Sequence, residues 1–346
     1  MATSTRAKLT FAVATAALLI SALELALRLT VPVEQLRFAW EQETALLGID
    51  DQGALNVRPH HSQTYSDGPY RWTVRTATMG LREDADPSPT IPAGTRRYLA
   101  LGDSWMFGWS ADQGLTLPDQ LERILPARLG VERVEVVNGG IFGSCAFDML
   151  RRWRQVSAQM ELDGVILGRP HNLTRQASVS ERRARWYQDV RGAPFVDVRT
   201  YLVLRRLLAP YTRPQYPAAT GTNADASTLA DLTTLITDAK SKGLEVWFVG
   251  FPTAMDEPQN GRQGALRSFE GTLTPLGVPS AGHLLTERSC WGHEDLNHPS
   301  PAGYLALAEV TADLVAGAIN PADPAERRMR AAPSCDAVDA PGPGKP

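Results

Sequence analysis

The sequence has few of the features that mark a metal-dependent, disulfide-rich or nucleic-acid-binding protein. Its 346 residues include 3 cysteines and 6 histidines, and no group of histidines, cysteines and carboxylates has the spacing of metal ligands. Cys145, Cys290 and Cys335 allow at most one internal disulfide. The net charge of −3 leaves no basic stripe that would neutralise a phosphate backbone. We therefore expect no metal, no cofactor and no nucleic-acid partner.

An apolar run from Leu9 to Leu23 follows basic residues near the N-terminus, a pattern typical of an export signal. The run suits the core of a signal peptide, because the about 20 residues that span a bilayer are reached only by including Glu24 and Arg28. A cleaved signal, a retained anchor and a buried amphipathic helix all fit. Since no clear cleavage site precedes a polar mature start, we expect an uncleaved anchor within residues 1–33. The rest of the chain would then be periplasmic or extracellular, or secreted if the signal is cleaved.

Residues 95–320 alternate between short apolar runs and amphipathic segments. Strands are predicted at 97–101, 134–137, 165–167 and 244–251, and helices at 117–129, 146–160, 200–208, 229–239 and 301–319. This alternation predicts an α/β fold with a parallel sheet covered on both faces. Ligands bind such sheets beyond the carboxyl ends of the strands.

The segments around this domain have different compositions. Residues 34–94 predict an accessory β-hairpin with a strand at 70–76, a turn at 79–82 and a proline-rich linker from 84. Residues 175–222 are too long for a simple connection and predict a lid or a substrate wall. Residues 321–346 are rich in alanine, proline and charge, which predicts a disordered tail.

Two short motifs bring together the groups of a nucleophilic serine site. Gly102-Asp103-Ser104 follows the strand at 97–101, and Asp295-Leu-Asn-His298 lies near the C-terminal end. A serine hydroxyl needs an imidazole to take its proton and a carboxylate to orient that imidazole. An aspartate three residues before a histidine can reach back to its ring on one tight turn. Each motif alone is equally typical of a turn or a helix N-cap.

With two further segments, these motifs resemble the SGNH hydrolases, also called the GDSL esterase and lipase superfamily. The four blocks are Gly102–Trp109, Val136–Gly143, Val165–Asn172 and Asp295–His298, in the family's order. The resemblance implies a flavodoxin-like three-layer α/β/α sandwich with a central parallel sheet. A Gly-Leu-Arg element at 80–82 is similar to membrane-anchored members of the superfamily.

The resemblance also implies a role for individual residues. Ser104 would be the nucleophile, His298 the general base and Asp295 the residue that orients the imidazole. The oxyanion hole would combine the backbone N–H groups of Ser104 and Gly143 with the side-chain amide of Asn172.

The third block departs from the family pattern. Pro170 stands where glycine is usual, and Leu173 replaces the aspartate that normally follows the asparagine. Pro170 would alter where the Asn172 amide points. His171 is another polar candidate for the role of Asn172, although we interpret it first as part of the wall of the site. Trp105, Phe107 and Trp109 fit either a substrate wall or the core.

We expect a serine hydrolase that cleaves an acyl or acetyl ester of a small molecule or glycan by double displacement outside the cytoplasm. Two alternatives remain open at this point. One is an O-acyltransferase of the same superfamily acting on an exported glycan, in which a sugar hydroxyl replaces water. The other is a catalytically silent binding module, which the altered third block allows.

Overall fold

The computed structural model describes residues 5–36, 46–50, 53–67, 70–170, 198–212, 226–250, 271–280 and 298–319. The predicted C-terminal tail lies outside these residues.

The described residues before position 76 form two helices and two antiparallel strand pairs. They are α1 (Thr5–Thr30), α2 (Val33–Leu36), β1 (Leu47–Ile49), β2 (Leu55–Val57), β3 (Ser62–Asp67) and β4 (Tyr70–Arg75). Strand β1 pairs with β2, and β3 pairs with β4 as the hairpin. In β4, Trp72 and Val74 are buried between the exposed Arg71 and Arg75, which is the alternation that the sequence displays.

A parallel sheet forms the centre of the chain's larger part. Its described strands are β5 (Thr95–Leu101), β6 (Arg133–Asn138), β7 (Gly164–Gly168) and β8 (Glu245–Val249). The strands lie in the order β6-β5-β7-β8, and every neighbouring pair is parallel. Numbered by appearance within the sheet, this is the order 2-1-3-4 with which a flavodoxin-like sheet begins.

Helices cover both faces of this sheet. The helices after β5 are α3 (Ser104–Phe107), α4 (Leu117–Leu129), α5 (Ala146–Ser157), α6 (Arg199–Thr212), α7 (Ala226–Ser241) and α8 (Pro301–Val315). Tyr98 and Ala100 of β5 belong to a buried cluster with α4 and α8, whereas Leu99 and Leu101 belong to one with α5 and α7. Alternate residues of this strand thus pack against helices on opposite faces of the sheet. The predicted three-layer α/β/α sandwich is confirmed.

Local sequence signals explain why the predicted bounds of α4 are those observed. Thr116 is the N-cap: its side chain accepts from the backbone N–H of Asp119, and the Asp119 carboxylate accepts from the backbone N–H of Thr116. Pro118 lies in the first turn, where its missing N–H costs nothing. Gly130 ends the helix in the left-handed conformation, with φ of 65°.

Helix α6 packs against α1 and α2. Glu24 of α1 accepts hydrogen bonds from the backbone N–H groups of Arg199 (3.2 Å) and Thr200 (2.8 Å), the first residues of α6. A carboxylate there satisfies donors that a helix N-terminus leaves unpaired. Most of the 175–222 insertion lies outside the described residues, so its role as a lid or wall stays a prediction.

Arg82 joins the accessory hairpin to the end of α3. Its side chain is buried, and its guanidinium donates to the backbone carbonyls of Gly108 (2.5 Å), Ala111 (2.6 Å), Phe107 (3.0 Å) and Thr73 (3.3 Å). Burial lowers the pKa of Arg82 to about 10, so the side chain remains a cation at neutral pH. The cost of burying this charge is offset by hydrogen bonds to carbonyls.

Replacing Arg82 should destabilise the protein far more than replacing an exposed arginine nearby. Arg82→Gln should lower the free energy of unfolding by about 3 kcal/mol or more, because buried carbonyls lose their donors. The matched control is Arg75→Gln, whose partner is Asp84 in an ion pair with side chains 47% and 62% exposed, and which should cost less than about 1 kcal/mol. Urea unfolding followed by tryptophan fluorescence measures both. Equal losses for the two variants would contradict the assigned role of Arg82.

Candidate active site

Ser104 lies at the carboxyl end of β5, on the sharp turn that opens α3. Gly102 allows the turn, because a Cβ there would lie 2.8 Å from Met106 Cβ and 3.2 Å from Gly168 Cα. Asp103 is the N-cap of α3, and its side chain accepts from the backbone N–H of Trp105 at 2.9 Å. Ser104 is therefore held as the first helical residue, with 5% of its surface exposed.

His298 reaches this serine from the other end of the domain. Its Nε2 lies 3.0 Å from Ser104 Oγ, although the two residues are 194 positions apart. His298 comes just before α8, whose N-cap Ser300 accepts from the backbone N–H of Gly303. Farther along α8, the Tyr304 hydroxyl donates to the carbonyl of Trp109 at 2.9 Å. The start of α8 is thereby tied to the segment that follows the serine.

The loop after β6 folds around the same turn. The carbonyl of Gly102 accepts from Ile141 N–H at 2.9 Å and from Ser144 Oγ at 3.1 Å. Between them lies Gly143, buried and with φ of 68°, in the left-handed region that favours glycine. The two segments predicted to supply the backbone donors of an oxyanion hole are thus hydrogen-bonded to each other.

Asn138 connects this loop to the end of α3. Its side chain accepts from Gly140 N–H at 3.1 Å and donates to the carbonyl of Phe107 at 3.2 Å. The backbones approach so closely that a Cβ on Gly140 would lie 2.3 Å from Phe107 N. An asparagine followed by glycines is therefore a packing requirement at this position.

One aromatic ring, that of Phe142, forms a side of the site, and buried aromatic rings pack against it. The Phe142 ring stacks on His298 with centroids 6.1 Å apart, and Trp109 meets Phe142 edge-on at 4.8 Å. Behind them, Tyr65 and Trp72 of the accessory hairpin lie 5.0 and 5.2 Å from Trp109. The hairpin therefore supports the wall of the site.

Trp105, Phe107 and Trp109 are core residues rather than a substrate wall. Their exposed fractions are 6%, 0% and 4%. Phe142 is the half-buried aromatic beside the histidine, and its place inside a glycine-rich turn gives no sequence signal for this contact.

Burial sets the charge state of two groups near the site. It raises the pKa of the Cys145 thiol to about 12, so this free cysteine stays protonated at neutral pH and does not compete with Ser104 as a nucleophile. Burial also raises the pKa of Glu83 to about 8, and Glu83 Oε1 accepts from the backbone N–H of Asn138 at 2.7 Å.

Within the described ranges, no group of three or more His, Cys, Asp or Glu side chains could hold a metal ion.

Asp295 and Asn172 lie outside the described residues, as do His171 and Leu173. The orienting carboxylate and the side-chain donor of the oxyanion hole therefore stay predictions. Pro170, by contrast, is described and buried just after β7.

Solved structures that resemble this chain include esterases and lipases of the GDSL or SGNH hydrolase family, the family that the sequence resembles. One is the lipase/acylhydrolase from Enterococcus faecalis, with 18% identity over 66% of this chain and 99% of that chain and a TM-score of 0.42. Another is AlinE4, an SGNH-hydrolase family esterase, with 15% identity, coverages of 66% and 100%, and a TM-score of 0.38. A third is a variant of Axe2, an acetyl xylan esterase from Geobacillus stearothermophilus, with 13% identity, coverages of 64% and 94%, and a TM-score of 0.41.

No protein-family model matches the chain, and no curated protein matches it at a significant level. The TM-scores and identities of the solved structures are too low to carry an activity over to this chain. Its function has to be argued from its own residues.

Gly140 offers a test of the close packing beneath the site. Gly140→Ala should lower the melting temperature, because overpacking of this kind costs about 1–3 kcal/mol. The matched control is Gly271→Ala, where no atom of the described part of the chain lies within 4 Å of the added Cβ. The control should leave the melting temperature unchanged or raise it, since alanine is the better helix former. A Gly140→Ala protein as stable as the control would show that the loop does not pack as described.

Proposed function

We propose that this protein is a serine ester hydrolase of the SGNH type. The observation that carries the proposal is the 3.0 Å contact between His298 Nε2 and Ser104 Oγ. That distance lies within the range over which an imidazole takes a proton from a hydroxyl.

The reaction would proceed by double displacement at an acyl carbon. Ser104 Oγ attacks the ester carbonyl while His298 accepts the hydroxyl proton, and the proton then goes to the departing alcohol oxygen. Water next attacks the acyl-enzyme, giving its proton to His298. The carboxylic acid leaves, and the proton returns to Ser104. Both half-reactions use the same imidazole.

Stabilisation of the tetrahedral intermediate is assigned to the backbone N–H groups of Ser104 and Gly143 and to the Asn172 amide. The bonds from Ile141 and Ser144 to the Gly102 carbonyl support the first two, because they hold the glycine loop beside the serine turn. The assignment of Asp295 and Asn172 comes from their places in the sequence motifs.

The activated serine can be tested directly with a fluorophosphonate probe. We expect the wild-type chain to be labelled at Ser104, with labelling lost in Ser104→Ala and lowered by at least about 100-fold in rate in His298→Ala. His60→Asn is the matched control, because His60 is exposed and asparagine tolerates its φ of 50°, so this variant should not affect labelling. Peptide mass spectrometry locates the adduct.

Two outcomes would contradict the proposal. One is the absence of an adduct on a folded wild-type protein. The other is an adduct at Ser104 that forms equally fast without His298.

We further propose that α1 anchors the domain to a membrane and that the domain lies outside the cytoplasm. Ala7–Thr30 is long and apolar enough to cross a bilayer: an 18-residue window within it has a mean hydropathy of 2.0, and none of that window is buried among the described residues. Two charged residues in its C-terminal part are paired: Arg28 Nε lies 2.6 Å from Glu24 Oε1. Pairing of this kind lowers the cost of charges near the bilayer.

The exposed face of α6 supports the same proposal. Tyr201, Leu204, Leu207 and Leu208 are 41–68% exposed on a helix that also carries arginine. An amphipathic helix of this composition is suited to a membrane interface. Because Glu24 holds the start of α6, this helix lies beside the proposed anchor.

Alkaline carbonate extraction of cells that express the chain tests the anchor. The full chain should stay in the membrane pellet, and mass spectrometry of the extracted protein should recover peptides from within residues 5–30. A deletion of residues 1–33 should release the protein to the soluble fraction. Recovery of a soluble product that lacks those residues would instead establish a cleaved signal.

A further inference from the structure

Phe142 lies beside the candidate catalytic pair but takes no part in the proposed double displacement. Its ring stacks on the His298 imidazole, with centroids 6.1 Å apart and planes 28° from parallel. The next residue along the chain is Gly143, whose backbone N–H is assigned to the oxyanion hole. Phe142 is thus adjacent to both groups that would contact oxygen atoms of the substrate.

Buried rings support the Phe142 side chain. Trp109 meets it edge-on, with ring centroids 4.8 Å apart, and is itself 4% exposed. Tyr65 and Trp72 of the accessory hairpin contact Trp109 in turn. Phe142 is only half-buried, unlike these three rings, so it is the member of the group that a bound molecule can contact. Ligand sites are commonly lined by aromatic side chains that the fold holds in place.

The geometry of the tetrahedral intermediate decides which part of an ester would lie near this ring. Four groups surround the former carbonyl carbon: Ser104 Oγ, the oxyanion, the departing oxygen and the acyl chain. The oxyanion points to the Gly143 N–H, and the departing oxygen points to His298 Nε2, which gives it a proton. The acyl chain takes the remaining direction, away from both. Because Phe142 adjoins Gly143 and His298, it lies on the side of the alcohol portion.

We propose that Phe142 is a specificity-determining residue that contacts the alcohol portion of the ester and favours alcohols that carry a ring. A phenyl ring packs best against another flat apolar surface, which an aryl ring offers and which one face of a sugar ring also offers. The proposal rests on the proposed ester hydrolysis and adds to it the class of alcohol.

Steady-state hydrolysis of three acetates by the full chain in detergent tests this role. Ethyl acetate, benzyl acetate and a monoacetylated methyl glucoside share the acyl group and differ in the alcohol. Comparing wild type with Phe142→Ala for each ester cancels the intrinsic reactivity of that ester. We expect kcat/KM for a ring-bearing acetate to fall at least about fivefold more than kcat/KM for ethyl acetate. The ring-bearing ester with the larger fall shows whether the alcohol is aryl or sugar.

Two controls separate this contact from a general packing role. Ethyl acetate, ethyl butanoate and ethyl hexanoate vary the acyl chain alone, and Phe142→Ala should leave the order of preference among them unchanged. Phe142→Tyr keeps the ring and should keep the wild-type preference for the ring-bearing acetate. Phe142→Leu keeps apolar bulk without a ring and should lose that preference, so it carries the comparison if Phe142→Ala does not fold.

Three outcomes would overturn the role of Phe142. One is an equal loss of kcat/KM for all three acetates, which a merely structural role produces. Another is a changed acyl-chain preference, which would place the ring against the acyl portion. The third is a wild-type chain that hydrolyses ethyl acetate but neither ring-bearing acetate. By contrast, a folded wild-type chain that hydrolyses no ester and is not labelled by the fluorophosphonate at Ser104 contradicts the ester hydrolysis itself.

Discussion

The buried guanidinium of Arg82 is the constraint on which much of this structure depends. A cation in the core requires hydrogen-bond acceptors, and Arg82 uses carbonyls from the residues after α3 and from Thr73 in the accessory hairpin. The left-handed turn at Gly108 is thereby held in place, and the backbone N–H of Gly108 donates in turn to the carbonyl of Ser104. The accessory hairpin is therefore a structural part of the candidate site.

The position of the candidate site follows from the order of the strands in the sheet. The chain leaves β5 for β6 on one side of it and then returns to β7 on the other, so the carboxyl end of β5 lies at the switch point where α/β sheets bind ligands. Ser104 begins there. His298 is brought to it by α8, whose Tyr304 is hydrogen-bonded to Trp109. Two segments that are far apart in the chain thus hold the serine and the histidine next to each other, as the activation of a nucleophile requires.

Much of this could be predicted from the sequence, because local signals govern local structure. Amphipathic periodicity predicted α4 at 117–129, where the structure shows a capping box at Thr116 and a left-handed glycine at 130, and alternation predicted β4. Contacts between distant residues have no such signal. Nothing near Glu24 indicates that it caps α6, and nothing near Phe142 indicates that it stacks on His298. The hydrogen-bond partners of buried arginines cannot be predicted from the sequence either, since guanidinium–carbonyl bonds leave no pattern in it.

The central claim is that Ser104 and His298 form one nucleophilic centre whose oxyanion lies at the glycine loop. The most direct measurement is a crystal structure of the protein after reaction with a phosphonate. We predict phosphorus bonded to Ser104 Oγ, with the phosphonyl oxygen within hydrogen-bond distance of the backbone N–H groups of Ser104 and Gly143. Phosphorus on another residue, or an oxygen that points away from Gly143, would contradict this account.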